Sequence, residues 1–394
     1  MTVVVIGAGV AGLACALALA DHEQDVELHE AAPQAGGRCR SWRDARQGVI
    51  LDNGSHVLVG GNRHALAYLR RIGSRGGLAP APVTLIRADA ADGRRRSLPP
   101  YRLLPDLARS LGQLRHPGRA SVADRLVGLE HYRDVWSPLC LAALNTPPAQ
   151  ASARLFGAVL ARSLWQGPWA GRLLLPQRGL SEIFVQPALE TLSDLGVQIR
   201  LGHPLRQVIF RQNRVDALRF DDYDRHLSRH DRVVLALPWH RAATFLPHLP
   251  ALPGRAIING HFLCRDGAGA DHGPIGVENG LAQWLFRRCN VVSATISAAD
   301  SLLDWPAELL ARLLWRDIAR ITGQSRPPAA WRIFKERQAT LRHDAATNAL
   351  RPASRQGRNL YLAGDWTATG LPCTLESAIL SGKTAAKQLI EDLF

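Results

Sequence analysis

Three glycines near the start of the chain, Gly7, Gly9 and Gly12, form G-x-G-x-x-G, and an acid, Glu30, follows eighteen residues after the last of them. Glycines at this spacing bring a backbone turn close to an anion. Gly7 allows the tight turn, Gly9 admits a pyrophosphate to the backbone, and Gly12 lets the next helix pack closely on its sheet. The helix N-terminus then aims unpaired N–H groups and partial positive charge at the phosphates. An acid at the position of Glu30 bonds ribose hydroxyls and repels a 2′-phosphate, so the spacing disfavours NADP and leaves NAD or FAD. A second glycine pair with a cation, Gly36, Gly37 and Arg38, comes soon after the acid. It suits a cofactor whose pyrophosphate is held from two sides; an ordinary turn with a solvated arginine is the plainer reading.

These residues need a strand, a turn, a helix and a second strand. Residues 3–6 are a β-branched run, as a buried parallel strand requires. Residues 13–20 are rich in Ala and Leu, which favour helix, and residues 26–29 form a second strand ending at Glu30. Residues 3–20 carry no charge, which raises the alternatives of a signal peptide or a membrane span. Only Met1 and Thr2 precede the run, so it lacks a basic leader. The order strand, glycine turn, helix, strand, acid is that of a dinucleotide site.

The chain has 394 residues, 46% of them hydrophobic, enough for about two domains with real cores. Its six cysteines form no CxxC pair, which predicts a reduced, cytosolic protein without structural zinc. The net charge of +14 rests almost wholly on arginine, with lysine only at 335, 383 and 387. The arginines are scattered and no nucleic-acid module is present, so nucleic acid is not an expected partner.

With its G-x-G-x-x-G, acid and GGR segments, the chain resembles the flavin-containing amine oxidase and phytoene desaturase superfamily. Residues 359–386, NLYLAGDWTATGLPCTLESAILSGKTAA, match its second flavin motif. They read as a strand at 360–363, then Gly364 and Asp365, a turn, and a helix from about Thr374. The resemblance implies FAD as cofactor, Asp365 on its ribityl chain, and Leu205 beside its adenine. It also implies that the helix start at Thr374, Leu375 and Glu376 directs backbone N–H groups at the flavin pyrimidine, where a helix N-terminus stabilises negative charge. No typical His or Cys attachment motif stands out, so non-covalent binding is expected.

The implied fold is α/β: a Rossmann-type FAD-binding domain with a discontinuous α+β substrate domain. The cofactor domain is drawn from 1–85, 195–245 and 345–394, and the substrate, membrane-facing domain from 86–194 and 246–344. A β-meander is expected at 205–210, 215–220 and 232–237. Residues 86–194 read as helical, and 256–264 and 291–296 as strands. A helix is expected from an N-cap at Asp304, with Leu309, Leu310, Leu313, Leu314, Ile318 and Ile321 on its core face.

The segments LDNGSHVLVGGN (51–62), LNTPPAQASARLF (144–156) and the LPQRGLSEIF stretch (175–184) are similar to the squalene-associated branch, the bacterial hydroxysqualene dehydroxylases of hopanoid precursor synthesis. That branch converts hydroxysqualene to squalene, with reduced FAD supplying hydride. A desaturase or oxidase acting on another isoprenoid, and an FAD-stabilised assembly partner of squalene-forming enzymes, are the alternatives. Amine oxidases of the superfamily usually carry a lysine on a substrate-domain strand near the flavin; the corresponding segment here, 256–263, has none. Dehydroxylation needs an acid near the flavin, and His56 is the first candidate, with a packing histidine as the competing reading. Asp52 is expected to orient its turn, and Cys373 to act as a small spacer. An apolar substrate predicts cytoplasmic attachment to the inner face of the membrane, peripheral in kind, with association with other squalene-synthesis enzymes as a further expectation. Residues 101–119 are the candidate contact: Leu103, Leu104, Leu107, Leu111 and Leu114 are expected to share one face at helical spacing, with Arg102, Arg109, Arg115 and His116 supplying charge elsewhere. A substrate-domain helix with inward leucines is the other reading.

Overall fold

The uncharged run folds into a strand, Thr2–Ile6, and a helix, Val10–Ala20. A computed structural model describes residues 1–44, 48–82, 84–265, 267 and 273–392. The first strand is central in a five-stranded parallel sheet, ordered Gln198–Arg200, Asp25–His29, Thr2–Ile6, Arg232–Leu235 and Leu360–Leu362. Both faces of this strand are buried, which explains its continuous apolar sequence. Val3 and Val5 enter a core shared with the flanking helices, while Val4 and Ile6 enter a core beneath an antiparallel meander.

The helix Val10–Ala20 packs on Leu375–Glu391 from the other end of the chain. Gly382 sits at the contact, where a Cβ would overlap the Ala11 carbonyl, so the helices approach at backbone distance. Leu174, Leu180, Ile183, Phe184, Ala188 and Leu192 join the same core, although the sequence division counts them with residues 86–194.

The meander differs from expectation in its third strand. Its strands are Gln207–Arg211, Arg214–Arg219 and Asp224–His226, whereas Arg232–Leu235 lies in the parallel sheet against Thr2–Ile6. The Arg232 segment is short and β-branched, and sequence pattern alone does not separate a meander strand from a buried parallel one.

A second, seven-stranded sheet runs in the order Ala330–Leu341, Gly254–Leu263, Val291–Ser297, Trp284–Arg288, Ile275–Glu278, Leu85–Asp89 and Arg95–Leu98. The last two strands correct the reading of residue 86 onward as helical: the helical layer begins only at Pro100. One sheet face packs on the helix Ala307–Thr322 through Leu310, Leu314, Ile318 and Ile321, as the periodicity requires. Leu309 and Leu313 are half-buried, and the N-cap is Pro306 rather than Asp304, which lies exposed ahead of the helix. Helices Leu104–Arg115, Val122–Leu126, Ser137–Leu144 and Ala153–Ala161 form a separate layer around Trp136 and Phe156.

Candidate active site and dinucleotide cradle

Backbone sterics set the glycine turn. Gly7 has φ +106°, and a Cβ there would lie 2.5 Å from the Ala236 carbonyl oxygen. A Cβ on Gly12 would overlap the Gly7 carbonyl and stand 3.1 Å from the Ala236 side chain. Gly9 is different. It is extended, at φ −70° and ψ 170°, and a Cβ would meet nothing within 4 Å. The open space at Gly9, ahead of a helix N-terminus with no side-chain cap, is what an approaching pyrophosphate needs.

The second glycine pair closes on this turn. Gly9 and Gly36 form a parallel β-bridge, the Gly36 N–H donates to the Ala8 carbonyl at 2.8 Å, and a Cβ on Gly37 would stand 3.5 Å from Gly9 Cα. Glu30 receives the N–H groups of Ala8 and Ala32 at 2.8 and 2.9 Å, which fixes its carboxylate at the end of the second strand. The His203 N–H donates to the Glu30 carbonyl at 2.8 Å, so Leu205, buried two residues later, lies on the chain segment beside the acid.

The two ends of the chain meet at Arg38. Its guanidinium donates to the Asp365 carboxylate at 2.7 Å and to the Ala339 carbonyl at 2.5 Å. Asp365 is buried, and its carbonyl accepts from the Arg351 guanidinium and the Ser377 hydroxyl. The neighbouring Gly364 donates its N–H to Ser381 at 2.9 Å, and a Cβ there would strike the Trp366 indole. Thr374 is the N-cap of the final helix, receiving the Ser377 N–H at 3.3 Å, and Leu375 is its first residue. The cradle therefore has an open backbone at Gly9, an acid held in place, a cation paired with a buried acid, and two helix N-termini. Those residues fit FAD.

Sequence reasoning missed two residues here and the side-chain role of a third. Glu376 is buried and accepts the N–H groups of His64 and Ala65, capping the helix Arg63–Arg71 from a distant part of the chain. Arg351 binds the carbonyls of Asp365, Trp366 and Leu371, tying the loop before the last helix. His343 accepts the Cys373 N–H at 2.8 Å and so carries its proton on Nδ1, which donates to the Leu144 carbonyl. No local pattern marks any of them, because each acts on backbone groups far along the chain. Cys373 is buried, and burial pushes its thiol up to about 12, so it stays protonated and packs as a small side chain.

A partly open cleft lies between the loop at residues 52–56 and the seven-stranded sheet. His56, Asp52, His261 and Ser293 supply polar groups, and Leu51, Leu175, Pro176 and Phe286 supply apolar walls. The loop abuts the GGR segment, since the Asn53 N–H donates to the Arg40 carbonyl at 3.0 Å. Asp52 is engaged on both oxygens, by Ser41 and the Leu180 N–H on one and by Arg288 on the other. His261 bonds Ser293 at 2.7 Å and the Asp52 carbonyl at 3.0 Å, and burial pushes it down to about 4. His56 is half-buried on the cleft wall; burial lowers its pKa, Arg38 adds to this, and Asp52 opposes it. Lys335 pairs across from Ile258, on the sheet face covered by the helix Ala307–Thr322, and donates to the Leu303 and Trp305 carbonyls. It is not on the face that carries His261.

The segment at 144–146, singled out in the sequence, joins layers. Asn145 donates to Thr340 at 3.0 Å and accepts the Ala298 N–H at 2.6 Å, and the Thr146 hydroxyl accepts the His343 N–H. It anchors the helical layer to the sheet.

Residues 10–135, 139–263 and 274–390 match the family described as flavin containing amine oxidoreductase. The chain is 41% identical over 407 residues to a hydroxysqualene dehydroxylase of Rhodopseudomonas palustris, covering 98% of this chain and 97% of that one. It is 39% identical over 410 residues to a hydroxysqualene dehydroxylase of Sinorhizobium fredii, covering 97% and 96% respectively. The fold is that of cyclohexylamine oxidase from Brevibacterium oxydans, at TM-score 0.74, 16% identity and coverage of 100% and 99%. Putrescine oxidase bound to putrescine superposes with TM-score 0.73, at 16% identity and 99% coverage of each chain. With its glycine cradle, paired Arg38 and Asp365 and matching family model, the chain belongs to the flavin containing amine oxidoreductases and is an FAD-dependent oxidoreductase.

Proposed function

We propose that this protein removes the hydroxyl group of hydroxysqualene reductively, giving squalene and water, within bacterial squalene and hopanoid synthesis. The observation that carries the reading is near-full-length similarity to relatives of that name.

Reduced FAD, when bound, supplies hydride. The chain's own part is to loosen the carbon–oxygen bond and to keep water out. His56 is the group on the cleft wall whose ring nitrogens have no protein partner among the described residues. With its pKa lowered it is neutral near pH 7, so it donates a ring N–H to the substrate hydroxyl and passes that proton to the oxygen as the carbon–oxygen bond breaks; the oxygen departs as water, and the ring regains a proton from solvent when the product leaves. That bond strengthens as the oxygen leaves, and the apolar side of the cleft, formed by Leu51, Leu175, Pro176 and Phe286, adds to it by lowering the local dielectric. Asp52 and His261 are positioning residues: their own bonds hold the loop that presents His56. The absence of a lysine on the His261 face favours this chemistry over amine oxidation.

A substrate almost insoluble in water is collected from a bilayer, so attachment is peripheral at the cytoplasmic face, alongside other squalene-forming enzymes. Among the described residues no helix is long and apolar enough to cross a membrane. Photoreduced holoprotein incubated with hydroxysqualene, with products read by mass spectrometry, tests the reaction. Squalene carrying deuterium transferred from flavin N5 is the expected product. A product with added double bonds, or none, overturns the proposal.

A further inference from the structure

The helix Leu104–Arg115 is turned inside out. Its buried residues include Asp106 and Ser110 along with Leu114, whereas Leu104 and Leu111 are 59% and 47% exposed, and Tyr101 just before it is 66% exposed. The inward polar groups are fully used. The Asp106 carboxylate accepts the N–H groups of His131 and Glu130 at 2.8 and 3.2 Å and the Trp136 indole N–H at 2.9 Å. The Ser110 hydroxyl donates to the Leu107 carbonyl at 2.7 Å and accepts the Trp165 indole N–H at 3.3 Å. These bonds fix the rotation of the helix, so its leucines at 104 and 111, two turns apart, face away from the protein.

The same rotation sorts charge. Asp106 is the only acid between residues 99 and 120, and it is buried. Arg102, Arg109, Arg115, His116 and Arg119 are exposed, and none forms an ion pair among the described residues. What remains outward on residues 99–120 is an apolar stripe flanked only by cations, with the exposed Glu130, whose N–H reaches Asp106, on the neighbouring segment. The five leucines therefore do not share one face as expected: packing inward explains Leu114 and the half-buried Leu103 and Leu107, but not the outward Leu104 and Leu111 or Tyr101.

We infer that Tyr101, Leu104 and Leu111 enter the headgroup region of an anionic bilayer, with the surrounding arginines on its phosphates. A helix with outward leucines and flanking cations lies in a membrane interface in this way. The inference deepens the proposed function and rests on it for its purpose: it is the route by which a membrane-borne isoprenoid reaches the chain.

The test is flotation of the yellow holoprotein with vesicles of phosphatidylcholine alone or mixed with phosphatidylglycerol. Wild type floats with the mixed vesicles and less so at high salt. The double variant Leu104→Glu, Leu111→Glu, whose substitutions lie on the outside, keeps its FAD and loses at least about tenfold in vesicle partitioning. Arg109→Glu with Arg115→Glu abolishes the preference for anionic lipid. Leu350→Glu, at a site 50% exposed elsewhere, floats like wild type. Unchanged flotation of the leucine variant, or a wild type that ignores both vesicles, overturns the inference; so does a leucine variant that changes only the oligomeric state in light scattering. Turnover of detergent-dispersed hydroxysqualene separates the two readings. The leucine variant keeps it and loses turnover of vesicle-borne substrate, whereas a wild type inactive in detergent refutes the reaction and leaves flotation to judge the surface.

Discussion

Gly9 and Gly12 lie three residues apart in one motif, yet they should fail in opposite ways when substituted. At Gly12 a Cβ overlaps the Gly7 carbonyl and stands 3.1 Å from the Ala236 Cβ, so backbone must move. Overpacking typically costs about 1–3 kcal/mol, and a clash with backbone belongs at the upper end. Gly12→Ala should therefore lose stability and FAD together. At Gly9 the backbone is extended, a region open to any residue, and nothing lies within 4 Å of a Cβ. Gly9→Val should leave the apoprotein as stable as wild type, or more stable by about 0.4–1 kcal/mol through a less flexible unfolded chain. Its side chain fills the approach to the helix N-terminus. Loss of two hydrogen bonds to a charged phosphate, at about 1.5–3 kcal/mol each, weakens FAD binding by roughly 10²–10⁴-fold. The assay is thermal unfolding of apoprotein with and without added FAD, beside flavin absorbance of the purified protein. Wild type should melt higher with FAD, because a ligand that binds only the native state stabilises it. Gly9→Val should melt like apo wild type and show no FAD-dependent rise. A Gly9→Val protein that is yellow at full occupancy refutes the cradle, and one that unfolds refutes the open space.

Three further outcomes follow from the geometry. His56→Ala should keep FAD and lose turnover by about 10²–10⁴-fold, the usual size of a proton-donor contribution; unchanged turnover removes His56 from the chemistry. His261 and His343 are both held down to about 4, against an ordinary 6.5, so each folds neutral while the unfolded chain takes up protons below 6.5. Stability from these two groups is complete above about pH 6.5 and lost as pH falls towards 4, by roughly 3 kcal/mol each, a slope that urea titrations at several pH values would show reduced in His261→Gln. Asp106→Ala strands two backbone donors and the Trp136 indole, and should cost about 3 kcal/mol or more in chemical denaturation, whereas Asp106→Asn, which keeps an acceptor, should cost less.

Much of the cofactor site was legible because its causes are local. Positive φ at Gly7 and close helix packing at Gly12 are steric demands set within a few residues, and they leave a readable spacing. The stripe from Leu310 to Ile321 was legible for the same reason, since a helix against a sheet must repeat its apolar face. The strand at Arg232 was misplaced because a short β run does not name its neighbour, and those at Leu85 and Arg95 were read as helix because their short segments carry no clear period of two. Pairing partners are chosen by the path of the whole chain.

By itself the sequence determined the glycine turn, the acid at its far end, the helix start near Thr374 and the branch-specific segments, all products of contiguous residues. Only the tertiary structure decided that Arg38 pairs with Asp365, 327 residues away, and that Asp52, expected from the sequence to orient its turn, is held by Arg288. It also decided which side of the helix Leu104–Arg115 faces out. Periodicity gives the angle between leucines but not the direction of the core, and here Asp106 and Ser110 find partners inside that outweigh turning Leu104 and Leu111 inward. A buried polar group is expensive only when unpaired, so the positions of its partners, which no local pattern records, set the rotation.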